Sequence, residues 1–470
     1  MFFNSFEYAV FLPVVLFLYW TVLRRRQNAL LLVASYVFYA AWDWRFLGLL
    51  ALSTITDFYV GNKLGATGEA SVRRRLVGLS LLVNLGILGF FKYFNFFADS
   101  FADLMGNFGL APSTPTLQII LPVGISFYTF QTLAYTIDVY RRKKEPEHNL
   151  LDFAVYVAFF PQLVAGPIER AQRLLPQIKA PRTSLSYEQI RSGLYLILLG
   201  LVRKVVIADS MAPIVNEAFA NADLAGAGTL LIGVIAFSLQ IYGDFAGYSD
   251  IARGSSRLLG IELMENFNQP YLSRNITHFW RTWHISLSTW LRDYLYIPLG
   301  GNRKGTSKTY RNLMLTMLLG GLWHGAAWTF VVWGGLHGLY LIAHRQVRDI
   351  TRKSPTDPFE WSDLLPALAT FSLVNLTWIF FRAETFTQAF NYLQGLLTLR
   401  PGGVILRDVA LLLVVAAVSF ALDLTQRNMH SHTALQQLPA VVRGLTYGSM
   451  ALAVILWSGG TPVPFIYFQF

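Results

Sequence analysis

His324 stands in the stretch Gly320-Gly321-Leu322-Trp323-His324-Gly325-Ala326-Ala327-Trp328 and is the only ionisable side chain there. Residues Asn312 to Trp333 are otherwise almost uncharged and long enough to cross a bilayer, which takes ~20 residues. An ionisable group at that depth is expensive and marks function by default. The competing reading is a packing histidine satisfied by a neighbour's carbonyl. The glycines weigh against it: Gly320 lies four residues before His324 on the same helical face, so a second backbone or a substrate chain can approach the imidazole. Gly321 and Gly325 have a small-xxx-small spacing that serves helix packing equally well. Histidine titrates near neutrality, so it can take a proton from an attacking hydroxyl and return it to a leaving group, typically worth about a hundred- to ten-thousandfold in rate. That suits acyl transfer from a thioester, whose carbonyl is already electrophilic. Trp323, Trp328 or His284 could supply donors for the oxyanion.

His284 is the second candidate for chemistry. On a helix, Trp280, His284, Ser288 and Arg292 fall at four-residue intervals and make one polar-aromatic stripe. Such a stripe marks a membrane-surface helix more often than a site. Asp244, in Tyr242-Gly243-Asp244-Phe245-Ala246-Gly247-Tyr248-Ser249-Asp250, either pairs with an arginine or lines a polar cavity, and pairing is the favoured reading. Metal binding is not expected, because His324 and His337 are 13 residues apart and face different directions on one helix, with no His-Glu-x-x-His spacing. No Gly-x-Ser-x-Gly elbow and no phosphate loop is present. The absence of cysteine excludes a thiol nucleophile and thiolate metal ligands.

These residues need a membrane scaffold. The 470 residues are 54% hydrophobic and 14% charged, where a soluble chain would carry about 25% charged residues. The apolar residues gather in blocks near bilayer length, which predicts an all-α, polytopic membrane protein of roughly eleven spans. Phe6 to Leu23 is followed, not preceded, by Arg24-Arg25-Arg26, so it reads as a retained first helix rather than a cleaved signal. The net charge of +11 lies in clusters between apolar blocks, at Arg24 to Arg26, Arg73 to Arg75, Arg141 to Lys144 and Arg303 to Arg311. That placement reads as cytoplasmic loops and not as a nucleic-acid surface.

In order, spans are predicted at Phe6–Leu23, Leu30–Trp44, Phe46–Val60, Leu76–Phe97 and Leu117–Tyr140, with Ala98 to Pro115 as an outside loop. Leu151 to Val164 is short, ends in Ala165-Gly166-Pro167 and reads as re-entrant or interfacial. Glu169 to Arg191 looks like an amphipathic surface segment. Leu194 to Ala208 is interrupted by Arg203-Lys204, and Leu230 to Tyr248 follows. Glu262 to Arg311 has no clean span, and Pro298 to Gly305 is a turn-rich basic loop. Further spans fall at Leu364–Phe381, Val409–Leu422 and Val441–Trp457, before an apolar end at Phe465 to Phe470. One membrane domain, 1–470, is expected, with N-terminal helices 1–145, a catalytic core 146–345 and C-terminal helices 346–470.

The run from Asn266 to His337 resembles the membrane-bound O-acyltransferases, in the bacterial branch that contains the alginate O-acetylation membrane subunit. The likeness rests on Glu265-Asn266-Phe267-Asn268-Gln269-Pro270-Tyr271, on Phe279 to Ile297 and on Gly320 to Gly325. Earlier support comes from Pro122 to Tyr128, Ala165-Gly166-Pro167 and Asp244 to Asp250. The resemblance implies that His324 is the family's essential histidine, deep in a tunnel through a ring of tilted helices, and that His284 is its second, more cytoplasmic histidine. It implies acetyl-CoA as donor with no bound cofactor, and passage of the acetyl group across a bacterial inner membrane. A periplasmic partner of the serine-hydrolase-like (SGNH) type, beside a polysaccharide synthase and export machinery, would then decorate an exported glycan. Trp283, Ser288, Trp323, Trp328 and Asp244 are candidates for substrate contact. Arg303 and Lys304 could meet the phosphates of coenzyme A, although a topology signal explains those charges equally well. Two positions depart from the branch: Gln162, where a histidine is common, and Gly243, where an aromatic residue is expected. Competing readings are a transporter of glycan or acyl carrier without chemistry, and an acyltransferase acting on lipid, peptidoglycan or teichoic acid.

Overall fold

Apolar runs of bilayer length must satisfy their own backbone groups, and helices do so internally. The computed structural model describes residues 1–110, 117–164, 166–347, 354–458 and 464–466, and among them the regular elements are helices, with no strand. Ala165, part of the expected outside loop (111–116) and the last apolar residues (467–470) lie outside that set. Among the described residues, five helical runs are long and apolar enough to cross a membrane: Ala70–Gly106, Ala227–Leu258, Trp361–Arg382, Leu406–Asn428 and Ala440–Trp457. Phe6–Val22 and Leu150–Leu163 are shorter apolar helices, so this criterion returns fewer spans than the roughly eleven expected. The chain divides into two compact units, residues 1–190 with 255–264, and residues 191–254 with 265–470.

In the first unit the predicted early spans fall on helices Phe6–Phe17 (extended by a wider turn to Val22), Gln27–Asp43, Leu47–Ala66 and Ala70–Leu88. Two boundaries move. Residues Phe94–Gly106 are helical, so the helix runs well into the expected outside loop. The expected span Leu117–Tyr140 is helical only from Ile125, because Pro122 and Gly124 break it. Gly124 has φ 75°, and a Cβ there would lie 2.6 Å from the Leu163 carbonyl oxygen. The segment read as re-entrant or interfacial forms Leu150–Ala158 and Phe160–Leu163, and its residues from Asp152 onward are buried in protein. Helix Ala171–Lys179 is amphipathic and buries Ala171, Leu174, Leu175 and Ile178.

Arg73, one of the basic residues read as a topology signal, is buried and caps two helices. Its guanidinium donates to the carbonyls of Leu64 and Thr67 (3.0 Å) at the end of one helix and of Val139 (3.2 Å) and Tyr140 (2.7 Å) at the end of another. Those terminal carbonyls have no acceptor role inside their own helices.

In the second unit, the expected interrupted span Leu194–Ala208 is the middle of a continuous helical run, Tyr187–Leu201, Val202–Ala208 and Asp209–Ala220. It packs on Ala227–Leu258 through glycines spaced by seven residues on both partners. A Cβ on Gly247 would lie 2.7 Å from the Gly200 carbonyl oxygen, and one on Gly254 would lie 2.5 Å from that of Gly193. Gly243, the departure noted above, obeys the same rule: its Cβ would lie 2.8 Å from the Arg203 carbonyl oxygen. This close approach buries the charges that interrupted the apolar run. Arg203 pairs with Asp250 (2.6 Å) and Asp423 (3.1 Å), and Lys204 with Asp209 (2.8 Å) and Asp244 (3.0 Å).

Candidate active site

Both candidate histidines sit where a helix stops. The block Asn312–Trp333, expected to cross the membrane in one piece, is a hairpin: helix Thr306–His324, an extended turn through Gly325 and Ala327, and helix Trp328–Gln346. His324 is therefore the last residue of a helix and not a mid-span residue. The hairpin closes through glycine. A Cβ on Gly321 would lie 2.2 Å from the Phe330 carbonyl oxygen, one on Gly334 2.2 Å from that of Met317, and one on Gly325 2.1 Å from the Phe330 ring. The sharp return places Trp333 against His324, with ring centroids 5.0 Å apart. Trp323 (5.0 Å) and Phe381 (5.4 Å) complete an aromatic wall around the buried imidazole.

The predicted stripe of Trp280, His284, Ser288 and Arg292 on one helix does not form. Helix Ile276–Thr282 ends, Trp283 is extended, and His284 takes a left-handed backbone (φ 42°) before helix Ile285–Leu291 begins. A non-glycine residue held there stores about 1–3 kcal/mol of strain, kept only where the surroundings fix it. Asn266 fixes it. Its carbonyl accepts from the Ile285 N–H at 2.9 Å, and its side-chain oxygen accepts from the Ser286 N–H at 3.2 Å and the Ser286 hydroxyl at 2.9 Å. The kink turns His284 fully inward, against Phe245 at 4.7 Å and 6.5 Å from the His324 ring.

The same asparagine assigns the tautomer of His284. The Ser286 N–H can only donate, so the atom it reaches is the amide oxygen of Asn266. That oxygen also lies 3.1 Å from His284 Nδ1, which must then carry the proton. In its neutral form the ring offers Nε2 as a proton acceptor, not as an oxyanion donor. His337 has both nitrogens engaged: Nδ1 accepts from Trp280 Nε1 at 3.2 Å, and Nε2 bonds the Thr377 hydroxyl at 2.9 Å. The hydroxyl proton of Thr377 is directed to the Val374 carbonyl at 2.7 Å, so His337 is the donor in that bond. It is a structural residue.

The remaining candidates separate. Trp323 lies beside both histidines, 6.1 Å from the His284 ring and 5.0 Å from the His324 ring. Trp283 is buried in aromatic packing against Phe279 and Phe267, and the half-buried Ser288 donates to the Trp283 carbonyl at 3.1 Å. Trp328 is 51% exposed. Arg303 and Lys304 lie in an exposed turn. Asp244 makes the expected kind of pairing but with a lysine, Lys204, and accepts from the Ile466 N–H at 2.7 Å. Phe465, next to Ile466, packs at 5.6 Å on Phe245, which also meets His284 at 4.7 Å. Two residues with a clear geometric part were not singled out from sequence: Asn266, and Trp333, whose buried Nε1 has no acceptor among the described residues. The pairing of Asn266 with His284 follows from a loop that only the fold brings round.

Fold and site together define an integral membrane protein of several helices with a histidine pair buried among aromatic rings. The chain belongs to the MBOAT, or membrane-bound O-acyltransferase, family, whose model matches residues 141–381, a region containing both histidines. It is 47% identical over 383 residues to the probable alginate O-acetylase AlgI of Azotobacter vinelandii, a match covering 81% of this chain and 75% of the relative. The protein of the same name from Pseudomonas aeruginosa is 45% identical over 388 residues, 82% of this chain and 73% of the relative. The peptidoglycan O-acetyltransferase of Helicobacter pylori is 38% identical over 459 residues, 91% of this chain and 84% of the relative. The protein is an O-acyltransferase and a multi-pass membrane protein.

Proposed function

We propose that this acyltransferase takes acetyl groups from acetyl-CoA at the cytoplasmic side of a bacterial inner membrane and passes them outward for O-acetylation of an exported polysaccharide. The observation that carries the reading is the pair of buried rings, His284 and His324, 6.5 Å apart on two chain bends. That separation is too wide for a direct bond, and one intervening oxygen could touch both rings. In the proposed step a hydroxyl oxygen attacks the thioester carbonyl and His324 takes its proton. The C–O bond forms, the C–S bond breaks, and His324 returns the proton to the departing thiolate. His284, held as the Nδ1–H tautomer, accepts or relays a proton at Nε2. The Trp333 N–H is the donor best suited to the developing oxyanion, being buried beside His324 with no protein acceptor among the described residues.

The alginate-modifying relatives support alginate or a similar polymer as final acceptor, with a periplasmic acetyltransferase of the serine-hydrolase type and a polymer synthase as partners. The broader coverage of the Helicobacter pylori relative favours peptidoglycan as the second reading. Membership of an O-acyltransferase family weighs against transport without chemistry. The test is reconstitution in vesicles with labelled acetyl-CoA. Wild-type protein should release free CoA in the presence of partner and polymer, and His324→Ala should not. Equal CoA release by both proteins would remove His324 from the mechanism.

A further inference from the structure

A cavity of about 780 Å³ opens in the first unit, where the turn after helix Phe6–Val22 meets the end of the amphipathic helix Ala171–Lys179. Its size falls within the range of small-molecule sites, about 300–1,000 Å³. Five cationic side chains line it, Arg24, Arg25, Arg26, Lys179 and Arg182, against one carboxylate, Asp152. That carboxylate already accepts from Asn28 Nδ2 at 2.7 Å. Three of the cations are committed. Lys179 pairs with Glu147 at 3.0 Å, Arg182 donates to the carbonyls of Gln177 and Ile178, each at 2.8 Å, and Arg24 donates to the Thr183 carbonyl at 2.8 Å. Among the described residues, no side-chain bond engages Arg25 or Arg26.

A second feature points the same way. Helix Gln27–Asp43 begins at the cavity wall, and Gln27, Asn28 and Ala29 line it. The first N–H groups of a helix lack acceptors within it and carry partial positive charge. A topology signal needs only charge on a loop. It does not need a concave wall, two uncommitted guanidinium groups and a helix start facing one space.

We propose that this cavity binds a phosphate ester through Arg25, Arg26 and the first turn of helix Gln27–Asp43. Guanidinium forks match phosphate oxygens two at a time, and the helix start adds backbone donors. Two sources carry that chemistry: the headgroup of an anionic phospholipid, and a soluble nucleotide bearing phosphate groups. The inference does not depend on acetyl transfer at His324, because the test below measures no turnover.

Purified full-length protein in uncharged detergent is titrated with adenosine 3′,5′-bisphosphate by calorimetry, and with phosphatidylglycerol by native mass spectrometry against phosphatidylcholine. One of the two phosphate esters should bind. The Arg25→Gln/Arg26→Gln protein should bind it at least tenfold more weakly, with its unliganded melting temperature unchanged. Raising the salt concentration should weaken wild-type binding more steeply than that of the variant. Each single glutamine substitution is measured as well, so that a misfolded double variant does not decide the result. If neither ester binds, or if the glutamine variants bind as wild type does, the cavity is not a phosphate site.

Discussion

The side-chain oxygen of Asn266 lies 3.1 Å from Nδ1 of His284 and 3.2 Å from the backbone nitrogen of Ser286. Through these two bonds a loop asparagine fixes both the strained backbone and the tautomer of a buried histidine. Asn266 is a positioning residue, and its replacement should disturb turnover more than substrate capture. Asn266→Ala should lower kcat about tenfold or more while KM stays within about twofold, a split expected when only transition-state interactions are lost. Asn266→Asp keeps an acceptor for the Nδ1–H and should retain more of the rate than alanine. Equal losses in kcat and affinity for both variants would indicate a general collapse of the loop.

His324 and His284 should not be equivalent. If His324 is the base, His324→Ala should reduce acetyl transfer by about a hundred- to ten-thousandfold. His324→Gln, which fills the aromatic box but cannot carry the proton, should be as inactive while keeping the wild-type melting temperature. Steady-state CoA release and thermal denaturation in detergent check both points. A glutamine variant with near wild-type rate would assign the imidazole a packing role.

Glycine is needed where the histidine hairpin closes. Gly334→Ala drives a Cβ to within 2.2 Å of the Met317 carbonyl oxygen, which a packed backbone cannot relieve cheaply. The expected destabilisation is about 3 kcal/mol, with loss of folded yield. In the same helix Gly335→Ala would meet only the Leu318 side chain at 3.4 Å, an ordinary contact, and should be tolerated. Comparing monodisperse yield and melting temperature of the two proteins tests the assignment. Similar behaviour would mean that the two helices are free to separate.

Stability should depend on pH through Glu169, which lies in the loop after the helical Leu150–Leu163 segment. Burial pushes its carboxyl up to about 7, and the nearby Arg173 and the Met264 N–H only partly oppose this. A carboxyl raised in the folded state binds more protons there than in the unfolded chain between its ordinary value and about 7. The contribution of Glu169 to stability should therefore be fullest below pH 4.5 and should fall as pH rises towards 7, then level off. The wild-type melting temperature should drop by a few degrees between pH 5 and pH 8 relative to Glu169→Gln, which has no proton to lose. Parallel curves for the two proteins would show that Glu169 does not titrate in this window.

Much of this was legible from residue types alone. The apolar blocks announced membrane helices, because backbone in lipid must bond to itself. The isolated imidazole in the glycine-rich stretch marked His324, and the aromatic, polar run around it carried the resemblance to the O-acyltransferases. Both signals are local, and local patterns survive in a linear string. Four-residue spacing could not announce the break at Trp283–His284, because it assumes an unbroken helix. Hydropathy likewise read Asn312–Trp333 as one rod, although Gly325 turns it back on itself. Arg203 and Lys204 looked like interruptions of a span, and only helix contact at Gly200 and Gly247 supplies their buried acids. Composition and periodicity thus determined that helices form and which imidazole stands out. The tertiary structure decided where those helices stop, which nitrogen of His284 holds its proton, and which ring meets which. Those outcomes depend on bonds between residues far apart in the chain, and such bonds exist only once the backbone has closed around them.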